Sequence, residues 1–311
     1  MGIACCCTTT ENRKEIQRQI LRFYKGKKIQ IFNFLSQSYD ECAIQTNISD
    51  FLGCSQIQIG STIYLCGTSP TKNEYDSSFM YSIDTSIIPL KTKLEVNSFS
   101  SHYYPALTQY NNEYIFVIGG KRTDKCELYY IQYKKWRNLP PLPEERYGAV
   151  VLMHHESYSL YIIGGIDSES GAYRKGVLKL GLPSFVEWEN VDVSCSSSSS
   201  DNSNVRCCEV AFSANACSSN NTFYILGGQR QHEEESNGVV LVTFSDKKMK
   251  VKQSDIRLPE GICFRYYKSC MFNEMENTLY YFVEKEERKM VKVNVSSGEA
   301  SEFVMEVQKL K

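Results

Sequence analysis

Three times in this chain a run of apolar residues ends in a pair of glycines: Tyr114 to Ile118 into Gly119-Gly120, Leu160 to Ile163 into Gly164-Gly165, and Phe223 to Leu226 into Gly227-Gly228. A weaker copy, Ile63 to Cys66 into Gly67-Thr68, precedes them, and Leu279 to Val283 follows without glycines. Each run has the length and the β-branched and aromatic content of a buried strand, and paired glycines permit backbone angles that a side chain forbids. In the stretch Tyr114 to Trp136, YIFVIGGKRTDKCELYYIQYKKW, a charged turn separates this strand from a second one holding Tyr129, Tyr130 and Ile131. The glycine positions recur roughly 45 to 65 residues apart, and repetition at such a period points to similar units packed against one another.

An apolar run, a double glycine, a tyrosine about ten residues on and Trp136 six residues after Tyr130 resemble the kelch motif, as does Arg146-Tyr147-Gly148-Ala149 ahead of the next strand. The likeness covers about residues 28 to 307. The resemblance implies an all-β fold, a kelch-type propeller of four-stranded blades, with Gly119, Gly120, Gly164, Gly165, Gly227 and Gly228 as structural positions. It implies no reaction. The recognisable repeats, the degenerate last unit and two N-terminal strands at Ile29 to Leu35 and Cys42 to Ile44 give five or six blades, six being favoured. Blades are expected to start at Gln56 to Ile59, Tyr104 to Thr108, Gly148 to Met153, Glu209 to Ser213 and Tyr267 to Phe272, with Asn111-Asn112 and Asn220-Asn221 as hairpin turns.

With 311 residues, 42% of them apolar, the chain can fill such a core, and its formal net charge of −1 gives no reason to expect nucleic acid as a partner. No run of about eighteen apolar residues is present to form a spanning helix. The 13 cysteines follow no repeating spacing and include no CxxC pair, which favours reduced thiols over a disulfide framework or a zinc site.

The chain opens MGIACCC, where loss of Met1 exposes Gly2 for myristoylation and Cys5, Cys6 and Cys7 stand ready for palmitoylation, although Cys6 occupies a place where the usual pattern has Ser or Thr. One acyl chain holds a membrane only marginally, so a second signal is needed. From Glu11 to Lys28 seven Lys or Arg stand against two Glu, a local charge of +5. At a helical period Lys14, Arg18, Arg22 and Lys25 line one side, opposite Ile16, Ile20 and Phe23, which predicts a short amphipathic helix suited to an anionic leaflet. The expected division is thus residues 1–27 as acylation signal and basic helix and residues 28–311 as propeller. Within the propeller, Ser194 to Asn204 (SCSSSSSDNSN) reads as a flexible surface loop or a phosphorylated regulatory one.

In a four-stranded blade the turns after the glycine pairs and the links between blades share one face. They hold Lys121, Arg122 and Asp124; Asp167, Glu169, Tyr173 and Arg174; Gln229, Arg230 and His232; and Glu144, Glu145 and Arg146. Arginine and tyrosine on rigidly held loops suit protein recognition. Arg122, Asp124, Arg146, Asp167, Tyr173, Arg174 and Arg230 are the predicted partner-binding set. Catalytic groups are not evident: His154 and His155 are neighbours pointing to opposite sides, while Glu144-Glu145 and Glu233 to Glu235 read as solvated charge. The expectation is a monomeric, cytoplasmic, non-enzymatic interaction propeller without cofactor or metal, tethered to the cytosolic face of a membrane. An adaptor delivering a captured protein to a larger assembly such as a ubiquitin ligase is the alternative, and a cryptic propeller enzyme the third reading.

Overall fold

In a computed structural model the chain forms six sheets that follow one another around a ring, the blades of a propeller. Residues 19–24, 28–33, 38–48, 51, 53–68, 78–182, 184–196, 208–217, 222–229, 236–245, 248–262, 270–273, 276–283 and 289–304 are described. Blade 1 has β1 (Gln19–Tyr24), β2 (Lys28–Asn33) and β3 (Ser38–Gln45); blade 2 has β4 (Ser55–Ile59), β5 (Thr62–Thr68) and β6 (Phe79–Asp84), then the short β7 (Leu90–Lys91) and β8 (Lys93–Leu94). Blade 3 is β9 (Ala106–Tyr110), β10 (Tyr114–Gly120), β11 (Thr123–Tyr130) and β12 (Lys135–Leu139); blade 4 is β13 (Val150–His154), β14 (Ser159–Ile163), β15 (Val177–Gly181) and β16 (Trp188–Val191). After β17 (Ser194–Ser196), blade 5 is β18 (Ala214–Cys217), β19 (Phe223–Leu226), β20 (Ser236–Ser245) and β21 (Lys248–Ile262); blade 6 is β22 (Cys270–Asn273), β23 (Thr278–Phe282), β24 (Lys289–Asn294) and β25 (Ala300–Val304).

Successive strands of a blade pair antiparallel, as tight hairpins require. Two parallel additions stitch blades together. β7, from the outer segment of blade 2, pairs with β3 of blade 1, and β17, from the segment leaving blade 4, pairs with β21 of blade 5. Consequently Ser194, read from composition as the start of a loop, begins a strand; residues 197–207 lie outside the described residues.

The runs that precede the glycine pairs are the second strands of blades 3, 4 and 5. They are apolar throughout because both faces of the sheet are covered: in β14, Leu160 and Ile162 pack toward blade 3 while Tyr161 and Ile163 pack toward blade 5. Each side chain so buried contributes roughly 1.5–3 kcal/mol. Such clusters fill every gap in the ring, including the seam where Phe32 and Tyr39 of blade 1 meet Tyr280, Phe282 and Met290 of blade 6. The tryptophans of the outer strands fasten neighbouring blades. Trp136 Nε1–H donates to Val96 O at 2.7 Å and Trp188 Nε1–H to Pro140 O at 2.9 Å, each binding its strand to the segment leaving the preceding blade.

Two sequence expectations are corrected. Part of the predicted basic helix is strand: Gln19–Tyr24 pairs antiparallel with β2, with Arg22 opposite Gln30, and supplies the first strand of blade 1. The β-branched and aromatic residues Ile20, Phe23 and Tyr24 suit a pleated surface, and the open edge of β2 outweighs a helical period. Glu209 to Ser213 precede rather than form the first strand of blade 5, which begins at Ala214.

Candidate interaction face

The candidate site lies at the mouth of the ring that carries the turns between second and third strands, and main-chain geometry shapes its rim. Two residues before the first strand of blades 2, 3, 4 and 5 stand Gly53, Tyr104, Gly148 and Phe212, all in the left-handed region with φ of 79°, 56°, 65° and 52°. The Tyr104 N–H donates to Gly53 O (2.5 Å), the Gly148 N–H to Tyr104 O (3.0 Å) and the Phe212 N–H to Gly148 O (2.7 Å). Equivalent residues of successive blades are therefore chained by hydrogen bonds into a rail around the opening. A left-handed tyrosine and phenylalanine cost roughly 1–2 kcal/mol each, which surrounding structure must offset.

The glycine pairs let the inter-blade links cross close beneath. Gly120 N–H donates to Arg146 O at 2.9 Å and Gly165 N–H to Val210 O at 2.7 Å. The aromatic rings of the rail meet over the opening: Tyr104 and Phe212 pack edge to face with centroids 5.3 Å apart, and Tyr147 lies 5.9 Å from Phe212. Ile166 and Tyr173 pack against the same group.

Beside this aromatic floor runs an ion-pair chain. Arg146 donates from Nη2 to Glu144 Oε1 at 2.9 Å and from Nη1 to Gly164 O at 3.3 Å. Arg174 pairs with the other Glu144 oxygen and with Asp167. Hydrogen bonds from the Ser170 hydroxyl and N–H, with Arg174 nearby, hold the Asp167 carboxyl below the usual carboxylate range. Burial pulls Arg146 below the ordinary guanidinium value, with Glu144 acting against that pull.

Of the predicted partner-binding set, Arg122, Asp167, Tyr173 and Arg174 are gathered on this face. The Arg122 N–H donates to Ser168 Oγ at 2.6 Å, joining the turns of blades 3 and 4. Arg146 is only 2% exposed and acts from below, anchoring Glu144. Asp124 stands at the start of β11, beside Lys125 Nζ at 3.3 Å, and its carbonyl accepts from the Leu142 N–H. Gln229 is buried in a bridge to Ala211. Glu144, read as solvated charge, is the hub of the network; the error lies in treating a carboxylate by its loop position when two arginines from different segments converge on it. Arg230 and His232, like Gly2, Cys5, Cys6, Cys7, Lys14, Arg18 and Lys25, lie outside the described residues. The rail went unread in the sequence. Its one signal was the recurrence of a glycine or aromatic two residues ahead of the first strands of blades 2 to 5.

Of the described histidines, His102 lies buried with Nδ1 2.8 Å from Gly119 O and Nε2 3.3 Å from Glu127 Oε1, while the other two pack against rings. His154 stacks on Phe244 at 4.0 Å between centroids, and His155 on Tyr110 at 5.3 Å.

No family model matches the chain. A kelch repeat-containing protein of Dictyostelium discoideum is 29% identical over 125 residues, a stretch covering 38% of this chain and 18% of that protein. The repeat phrase, the six four-stranded blades and this relative agree. The chain is a six-bladed β-propeller whose repeats are similar to kelch repeats. Among solved structures, the one described as "Structure of YjhT" superposes with a TM-score of 0.54 at 13% identity, covering 78% of this propeller and 72% of that chain, a likeness of fold alone.

Proposed function

We propose that this kelch-like propeller is a non-enzymatic protein-interaction scaffold that holds its partner at the mouth formed by the second-to-third-strand turns. One observation supports the reading above others: aromatic side chains and Arg174 form a surface fixed in advance by the rail and by the Glu144 and Asp167 pairs. Preorganised aromatic and arginine groups are the residues that dominate binding at protein interfaces, because little ordering entropy remains to be lost. The acylation reading of Gly2, Cys5, Cys6 and Cys7 adds a tether to the cytosolic face of a membrane.

Capture from native cells after gentle detergent tests the face. The wild type should retain a near-stoichiometric protein that is lost when Arg122, Arg174 and Arg230 are all changed to Glu. Retention of that protein by the altered bait would move the site to the other mouth. For the tether, replacing Gly2 by Ala and Cys5, Cys6 and Cys7 by Ser should shift the protein from membrane to soluble fractions, and a wild type already wholly soluble in its native cell would refute it.

A further inference from the structure

On the opposite side of the ring, the gap between blades 2 and 3 opens into a cavity of about 510 Å³, within the range of small-molecule sites. The deep part of the gap is filled by buried apolar residues, among them Tyr64, Cys66, Met80, Val117 and Trp136, while the outer part carries short polar ones. Thr62 on β5 and Ser82 and Asp84 on β6 occupy the same sheet face as Tyr64 and Met80 but leave space above themselves. Tyr129 and Ile131 of blade 3 form the facing wall, and Ile87 and Pro89 the lip.

The charges around this cavity are arranged rather than scattered. Glu95 is buried, its side chain 7% exposed, and ionised: although burial opposes the charge, the Ser82 hydroxyl, Lys134 and Lys93 keep its carboxyl below the usual range. Ser82 Oγ–H donates to one carboxylate oxygen at 2.7 Å with Lys93 Nζ 3.6 Å from it, and Lys134 Nζ lies 3.3 Å from the other. The Tyr129 hydroxyl points to that second oxygen from 3.5 Å. A carboxylate so occupied has little capacity for a cationic ligand. Its effect is to hold two ammonium groups, drawn from different blades, over one cavity. Lys91 lines the same cavity and has no acidic partner among the described residues. The other carboxylate, Asp84, is turned into its own loop by bonds from Ser86 N–H at 2.9 Å, Ser86 Oγ and Ser61 Oγ.

From this arrangement we infer that the cleft between blades 2 and 3 binds a small amphiphilic anion, its apolar body between the Tyr64 and Tyr129 rings and its acidic group under Lys91, Lys93 and Lys134. Lysine serves such a role as a mobile point charge. Glu95 is a positioning residue there. The site shares no residue with the proposed interaction face, so either reading stands or falls alone.

The probe is 8-anilinonaphthalene-1-sulfonate, an aryl anion whose fluorescence rises on burial, with N-phenyl-1-naphthylamine as its uncharged counterpart. The folded full chain should bind the sulfonate saturably at one site, at least tenfold tighter than the uncharged dye. Changing Lys93 and Lys134 together to Glu should weaken the sulfonate at least tenfold. Both are solvent-exposed, at 65% and 50%, but they partner the buried Glu95, so the double change to Gln is made alongside and thermal melts of both variants check that the fold is kept. Thr62→Phe, which fills the cavity without touching a charge, should weaken both dyes. The anion 4-phenylbutyrate should displace the sulfonate and its amide should not. Affinity unchanged in the lysine variant, or equal affinity for the two dyes, would overturn the assignment.

Discussion

A methyl group added at Gly164 would lie 2.1 Å from the carbonyl oxygen of Val210, whereas one at Gly171 meets nothing within 4 Å, although the two residues have nearly the same φ, 63° and 69°. Left-handed strain of roughly 1 kcal/mol is common to both substitutions, and only the first also pushes apart the link to the next blade. Gly171→Ala should therefore cost about 1 kcal/mol and Gly164→Ala at least about 3 kcal/mol in denaturant titrations. A second prediction rests on Glu127, fully buried beside His102, with its oxygens accepting from the Phe99 N–H at 2.9 Å and the Ser100 N–H at 2.8 Å. Burial alone would raise its carboxyl, but His102 and those donors outweigh burial and hold it below the usual value. The group thus stabilises the fold above the unfolded carboxyl pKa of about 4.3, and that stability is lost as pH falls through the lower folded value. Glu127→Gln should cost about 2–4 kcal/mol at pH 7, with the gap to wild type narrowing steadily below pH of about 4. A gap independent of pH would mean that the charge of Glu127 is immaterial.

At the scale of strands, the apolar runs of β10, β14 and β19 were legible because a strand covered on both faces needs no alternation, and the glycines that close them are demanded by close backbone approach. β1 was not. Basic residues spaced at a helical period satisfy a helical wheel equally well in a strand whose partner edge, β2, is visible only in three dimensions. The same holds for the site: turn residues such as Arg122 and Arg174 could be placed on one face from hairpin logic, but the burial of Arg146 and the convergence on Glu144 depend on where separate blades meet. Truncation separates the two readings of the N-terminus. Removing residues 1–18 should leave thermal stability within a few degrees of the full chain, while removing residues 1–24 strips the first strand from blade 1 and should lower Tm by about 5 °C or more. Equal effects would show that β1 contributes nothing to the blade.

The whole ring closes without a strand shared between its first and last blades among the described residues; a cluster of buried side chains spans that seam. Where blades 3 and 4 meet, Phe116, Ile118, Leu128, Val151, Leu160 and Ile162 are among a longer series of buried apolar residues than the seam shows among the described residues. Phe282→Ala at the seam should cost about 3–5 kcal/mol, and native-state hydrogen exchange should speed up in blades 1 and 6 before the others. Ile162→Ala should instead loosen blades 3 and 4. Uniform acceleration in both variants would mean that the ring opens as one cooperative unit.

The hydrogen bonds that chain Gly53, Tyr104, Gly148 and Phe212 run between main-chain N–H and carbonyl groups. What keeps the gauge of the aperture is therefore independent of which rings project from it. Side chains along the rim can be exchanged to suit a different cargo while the frame keeps its diameter, provided each position tolerates a left-handed backbone. In this molecule recognition and girth are encoded in different atoms of the same residues.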